Sequence, residues 1–146
     1  MEAVSKRAPG ARLDGVLVAE MVAGGLELAA GLVCDPEFGL SLMLGAGGTL
    51  VEWLADATFK LPPLGAQGAQ AMLERLRVAS LLNGVRGSAR FDRAALHVAL
   101  VELSRLARDL GESIEEMDIN PLVVLPEGQG CRILDAVIIC RRPPAA

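Results

Sequence analysis

The chain has 146 residues, 52% of them apolar but only 3% aromatic, and a formal net charge of −4. That length suits one domain with a real core and is too short for two ordinary ones, and a core so poor in rings must be built from Ala, Leu and Val. With an acidic balance and no cluster of Lys and Arg interleaved with aromatics, nucleic acid is excluded as the main partner.

Met1 to Arg12 is polar and basic and reads as a flexible lead-in without the apolar centre of a signal peptide. No uninterrupted apolar run approaches the ~18 residues of a membrane span, so no membrane is expected. Gly15 to Val22 is apolar on both faces until Glu20, as in a strand buried on two sides. Gly24-Gly25 breaks it. A second strand is expected from Leu26 to Val33, then a tight turn over Asp35-Pro36-Glu37-Phe38-Gly39 and a third strand from Leu40 to Leu44, the three forming an antiparallel meander. After the glycine run Gly45-Ala46-Gly47-Gly48, a short strand ends at Lys60-Leu61-Pro62-Pro63.

From Ala69 the apolar period changes to that of a helix, through Met72, Leu73, Leu76 and Ala79, ending near Asn83-Gly84. Asp92 has the character of an N-cap for a longer helix, Arg93 to Leu110, with Gly111 as its C-cap. Two final strands, Met117 to Leu125 and Arg132 to Cys140, flank the turn Pro126-Glu127-Gly128-Gln129-Gly130. The pattern predicts an α+β (α/β) domain over residues 13–140, a largely antiparallel sheet with helices packed on it, followed by a tail at 141–146.

The final hairpin sets Asn120 of Asp118-Ile119-Asn120-Pro121-Leu122 opposite Asp135. Such a pair of oxygen donors suits Mg²⁺, which takes one or two protein oxygens and leaves its other positions to water and phosphates. A turn and a strand end use the same residue types, so the spacing alone leaves both readings open. Glu20, near the end of an apolar strand, must be exposed at an edge or cleft or else be paired, and Glu27 and Asp35 are candidates to share that cleft; a solvated strand end is the plain alternative. The glycine run lacks the Gly-Lys-Ser/Thr of a Walker A loop, which favours a simple turn over a phosphate cradle, with Glu52 at best a supporting group. His97 is expected at the surface, and neither Ser104 nor Cys34, Cys131 and Cys140 sits in a nucleophile motif. Three cysteines without C-x-x-C spacing suit reduced thiols in a cytoplasmic protein.

Taken in order, Gly15-Val-Leu-Val-Ala-Glu-Met-Val-Ala-Gly-Gly-Leu-Glu-Leu, Asp35-Pro-Glu-Phe-Gly, Gly45-Ala-Gly-Gly-Thr-Leu-Val-Glu, Leu82-Asn-Gly-Val-Arg-Gly, and Asp118-Ile-Asn-Pro-Leu with Asp135-Ala resemble the ATP-grasp domain of ADP-forming acyl-CoA synthetases, in its C-terminal part. This domain is a cousin of the succinyl-CoA synthetase β subunit. The resemblance implies ATP and Mg²⁺ as cofactors, Asn120 and Asp135 as metal ligands, Glu20 in the hinge beside adenine and ribose, and Asp118 facing an incoming phosphohistidine. It implies, as partners, a CoA-binding or phosphohistidine domain or subunit and an N-terminal ATP-grasp half. That half carries a lysine strand and a His-Lys-x-Asp-x-Gly-Gly-like stretch, and neither occurs in these residues, so the chain alone is expected to be inert. Leu40 stands where the family usually has proline, and Lys60 where arginine is typical, losing a bidentate fork if that position meets phosphate. The alternative is a non-catalytic interaction module that keeps the fold, with the high apolar fraction favouring a homodimer.

Overall fold

The computed structural model describes residues 2–48, 55–84 and 89–141, and the structural statements below refer to these. A short helix α1 (Glu2–Arg7) has no buried residue. Strands β1 (Leu26–Asp35), β2 (Gly39–Ala46) and β3 (Ala57–Lys60) precede helix α2 (Ala66–Arg75) and a 3-10 turn (Val78–Asn83). Helix α3 (Arg93–Leu110) leads to β4 (Ile114–Val124), β5 (Cys131–Ile133) and β6 (Ala136–Cys140). The six strands form one antiparallel sheet ordered β3-β2-β1-β4, with β5 and β6 both alongside β4.

Alternation along the strands decides the layers. Leu26, Leu28, Ala30 and Leu32 of β1 point to one face, beside Leu42, Leu44 and Ala46 of β2. There they meet Ala69, Met72 and Leu73 of α2 and Leu96, Leu100 and Ala107 of α3, one apolar cluster built with few rings, as the composition requires. Ser104, wholly buried on α3, accepts a hydrogen bond from the backbone N–H of Leu64 at 2.6 Å and so ties the helix to the segment after β3. Its hydroxyl is a structural link.

The expected strand over Gly15 to Val22 does not form. This segment carries no regular element, and Val16, Leu17, Val18 and Met21 are 72–93% exposed. A strand apolar on both faces needs cover on both, and here the helices cover only one face of the sheet. The meander is therefore reduced to the β1–β2 hairpin. The helix expected from Ala69 to Asn83 is also interrupted, at Leu76, which is extended. Its cause lies far away in sequence: the Asp56 carboxylate accepts the backbone N–H groups of Arg77 (3.2 Å) and Val78 (2.8 Å), starting a separate turn.

Helix α3 begins and ends where its sequence pattern sets it, Arg93–Leu110. The Asp92 carboxylate accepts the Ala95 N–H at 3.0 Å as an N-cap and also the N–H groups of Gly128 and Gly130, both at 3.0 Å. One buried side chain thus fastens the helix to the turn between β4 and β5.

Candidate functional site

The pairing of β1 with β4 shifts register between Leu28 and Ala30: Leu28 stands opposite Leu122 and Ala30 opposite Ile119, so three steps on β4 match two on β1. The extra residue falls at Asn120-Pro121, whose proline has no N–H for the ladder. A bulge of this kind re-aims side chains. Ile119 and Leu122 both stay in the core, while Asp118 and Asn120 are exposed on the open face.

The last strand breaks at the same level. Where a single strand over Arg132 to Cys140 is expected, β5 ends at Ile133 and β6 begins at Ala136. Across the gap the Leu134 N–H donates to the Pro121 carbonyl (3.1 Å), and the Asn120 N–H donates to the Asp135 carbonyl (3.2 Å). Asn120 and Asp135 are therefore neighbours, as the hairpin pattern predicts, though Asp135 lies in a kink between two strands.

Rows of facing residues define the open face. Asn120 and Asp135 lie level with Ala29 of β1 and, beyond it, Gly45 and Ala57. Asp118 pairs with Gly31, which pairs with Met43, which pairs with Phe59. Ala29, Met43, Gly45, Ala57, Asp56, Asp118 and Asn120 are among the residues lining a depression of about 270 Å³, most of whose apolar lining is Ala and Gly. Asp56 stands in no recognisable sequence motif; an acid just before a strand is the one local sign of it.

Glu27 is exposed one row nearer the start of β1, and its carbonyl accepts the Gly47 N–H at 3.1 Å. A Cβ on Gly47 would lie 2.3 Å from the Leu28 carbonyl carbon, and one on Gly48, at φ +55°, would lie 1.8 Å from Glu27 Oε2. These glycines let the loop close against β1 under the Glu27 carboxylate. Glu52 lies outside the described residues. Glu20 lines a different hollow, with Leu125, Gln129 and Arg132 at the β4–β5 end. Asp35 sits at the other end of β1, where its carboxylate accepts the N–H groups of Glu37 (2.8 Å) and Phe38 (2.9 Å) and shapes the hairpin turn. Glu20, Glu27 and Asp35 therefore do not share one cleft, because alternate positions of a ten-residue strand spread its open-face groups over about 30 Å.

Hard oxygen donors on adjacent backbone positions fit a magnesium ion that takes only one or two ligands from protein. Among the described residues no group of three or more His, Cys, Asp or Glu is arranged to hold a metal.

His97 is half-buried rather than at the open surface, with its Nε2 buried and without a hydrogen-bond partner among the described residues. Burial, with Arg93 nearby, holds its pKa below the ordinary value despite Glu74. Cys131 is half-buried too, and desolvation with the Asp92 charge pushes its thiol up to about 11, which makes it a poor nucleophile. Among the described residues no helix is long and apolar enough to cross a membrane.

A family model described as the ATP-grasp domain matches residues 1–140. The chain belongs to this family. It is 45% identical over 128 residues to an ADP-forming 4-hydroxybutyrate–CoA ligase of Nitrosopumilus maritimus, covering 88% of this chain and 18% of that protein. It is 38% identical over 140 residues to the beta subunit of ADP-forming acetate–CoA ligase II of Pyrococcus furiosus, covering 96% of this chain and 59% of the subunit. A dinucleotide-forming acetyl-coenzyme A synthetase of Ca. Korarchaeum cryptofilum matches with a TM-score of 0.76 and 38% identity, over 82% of this chain and 55% of that one. That structure holds coenzyme A and Mg-AMPPCP, with its phosphohistidine segment pointing towards the nucleotide binding site. Another structure of the same synthetase gives a TM-score of 0.83 over 96% of this chain and 61% of that one. The chain thus spans between about a fifth and three fifths of these relatives.

Proposed function

We propose that this chain is the nucleotide- and metal-handling part of an ADP-forming acyl-CoA ligase, and that it passes a phosphoryl group between ATP and a histidine on a partner domain or subunit. The observation that carries this reading is the open face itself: Asp118 and Asn120 projecting side by side, Asp135 beside them, and a depression among them whose lining includes Ala29, Gly45 and Ala57. Family membership and the Mg-AMPPCP in the Korarchaeum synthetase support it.

Asn120 and Asp135 would hold Mg²⁺, which when bound neutralises charge on the nucleotide phosphates. Phosphoryl transfer asks the protein mainly for position and charge compensation. Transfer from ATP forms a bond between a pyridine-type imidazole nitrogen and the γ-phosphorus as the bridging P–O bond breaks, its electron pair leaving with ADP. The carboxylate of Asp118, one outward position beyond Asn120, would hold the other N–H of that imidazole and offset its growing positive charge. Glu20 would border the base and ribose, with Glu27 over the glycine loop between them and the metal pair. Asp35 serves the hairpin turn and stands outside this set.

The exposed run Val16 to Met21 supports a partner layer, because an apolar strand sequence left in water favours burial against another sheet. We assign that layer to the N-terminal ATP-grasp half, which would bring the opposing cationic clamp. Isothermal titration of the isolated chain with Mg-ATP is expected to show weak or undetectable binding; low-micromolar affinity would contradict the half-site. In the assembled ligase, Asn120→Ala with Asp135→Ala is expected to abolish acyl-CoA synthesis with the fold intact. Unchanged activity would favour the non-catalytic interaction module.

A further inference from the structure

The helix layer, which covers the side of the sheet away from Asp118 and Asn120, borders a cavity of its own. About 620 Å³ in volume, it is lined by Gln70 of α2, Arg90 and Phe91 ahead of α3, Arg93 and His97 on α3, and Glu127 of the β4–β5 turn. That volume falls in the range of small-molecule pockets. Arg93 and His97 are four residues apart and so share one face of their helix. The walls are fastened to one another. Asp92, which also borders the cavity, holds the turn through the N–H groups of Gly128 and Gly130, and the Glu127 N–H donates to the Arg90 carbonyl at 2.9 Å.

The cationic groups here are uncompensated. Ion pairs among the described residues join Arg12 to Asp14, Arg105 to Glu102 and Arg108 to Asp109, so neither Arg90 nor Arg93 belongs to one. The neighbouring acids are engaged or in water: Asp92 accepts three N–H groups, Glu74 accepts from the Gln70 amide, and Glu127 is exposed, where solvent screens its charge. His97 adds a buried Nε2 with no hydrogen-bond partner among the described residues. Folded proteins rarely leave such an atom unpaired. The charge of Arg93 and burial both disfavour protonation of this ring, against the weaker pull of Glu74.

Guanidinium forks donate pairwise to the oxygens of phosphate or carboxylate. A phosphate group, with a charge of about −1.5 to −2 near neutrality, makes use of two such forks and leaves an oxygen for the imidazole. Leu82 and half-buried Phe91 supply apolar wall for a small organic part. We propose that the cavity of Arg90, Arg93 and His97 is a second ligand site, which takes a phosphate group, either free or as the monoester of a small molecule. It shares no residue with the depression at Asp118 and Asn120 and does not depend on the function proposed for that face.

The chain has a single histidine, so the imidazole reports its own surroundings. The test follows the His97 ring-proton signal by NMR in the tag-free 146-residue chain, titrated at constant ionic strength with inorganic phosphate and, separately, with glycerol 3-phosphate. The expected result is a saturable shift, half-complete on the order of 1 mM, with the imidazole titration midpoint moved upward as the anion offsets Arg93. Tighter binding of the ester would identify an organic monoester as the ligand, and tighter binding of inorganic phosphate the free anion. Arg90→Gln and Arg93→Gln should each weaken binding on the order of tenfold, as for loss of a charge-assisted hydrogen bond, and Arg105→Gln should leave it unchanged. Melting temperature controls for folding, and exposed Arg90 keeps the test open if Arg93→Gln, at the first position of α3, is unstable. A linear shift without saturation, or an equal shift with chloride, would overturn the site in favour of charge screening alone. An equal response to acetate would overturn the phosphate assignment, and unaltered binding in both arginine variants would place the anion elsewhere.

Discussion

On its helix-covered side β1 presents Leu28, Ala30 and Leu32, each at most 1% exposed, whereas on its other side the same strand presents Glu27, Ala29, Gly31 and Val33. Along β4 the division is the same, Met117 and Ile119 inward and Glu116, Asp118 and Asn120 outward. One face is built from large aliphatic side chains and carries the fold. The other combines small residues with acids and an amide, contributes little to packing, and is free to bind. Substitutions on the two faces should therefore separate stability from ligand binding.

The largest loss of stability is expected on the covered face. Leu100→Ala, at a wholly buried position of α3, should cost about 3–5 kcal/mol through lost transfer energy and a cavity. Val33→Ala on the open face should cost less than about 1 kcal/mol. Urea unfolding of both variants checks the contrast, and equal losses would mean that the open face is also packed.

Asp92 comes next, since it joins α3 to the β4–β5 turn. The N–H groups of Ala95, Gly130 and Gly128 hold its carboxyl below the ordinary 3.8. A depressed folded pKa means that its stabilisation is complete above about 3.8 and is lost as pH falls through the lower folded value. Asp92→Asn should lower the melting temperature near neutrality and flatten its decline in acid. A third, smaller effect belongs to His97, whose folded pKa lies below the ordinary 6.5 because of burial and Arg93. The unfolded chain takes up the proton first, so stability falls as pH drops from about 6.5 towards the folded value. In thermal melts across that range, His97→Gln should remove this component, and an undiminished slope would exclude His97 as its source.

The smallest stability change is expected at the candidate site. Asn120→Ala and Asp135→Ala, both exposed, should each alter unfolding free energy by no more than about 0.5 kcal/mol. A larger loss would show that these side chains hold the bulge and would weaken the separation of the two faces.

Local pattern reveals the parts of the molecule that local chemistry determines. Helix α3 is legible because its apolar period, its N-cap Asp92 and its end at Leu110 all lie in one stretch. The Asn120–Asp135 neighbourhood is legible because a short turn fixes which residues face each other. Three features depend on distant chain. The break at Leu76 needs Asp56 to reach Arg77 and Val78. Division of the last strand into β5 and β6 follows the β4 bulge at Asn120-Pro121. Gly15 to Val22 reads as a buried strand by composition, yet no second covering layer exists among the described residues to bury it. The ordered motifs that resemble an ATP-grasp domain reveal the family, but not that Glu20 and Asp35 stand at opposite ends of the sheet.

The open face is proposed to be half of a magnesium-dependent nucleotide site. Titrating a fluorescent ADP analogue into the assembled ligase, with and without Mg²⁺, tests it directly in the parent and in the Asn120→Ala, Asp135→Ala double variant. Metal-dependent binding is expected in the parent, and loss of that dependence in the folded variant. Equal, metal-dependent affinity in both would contradict it.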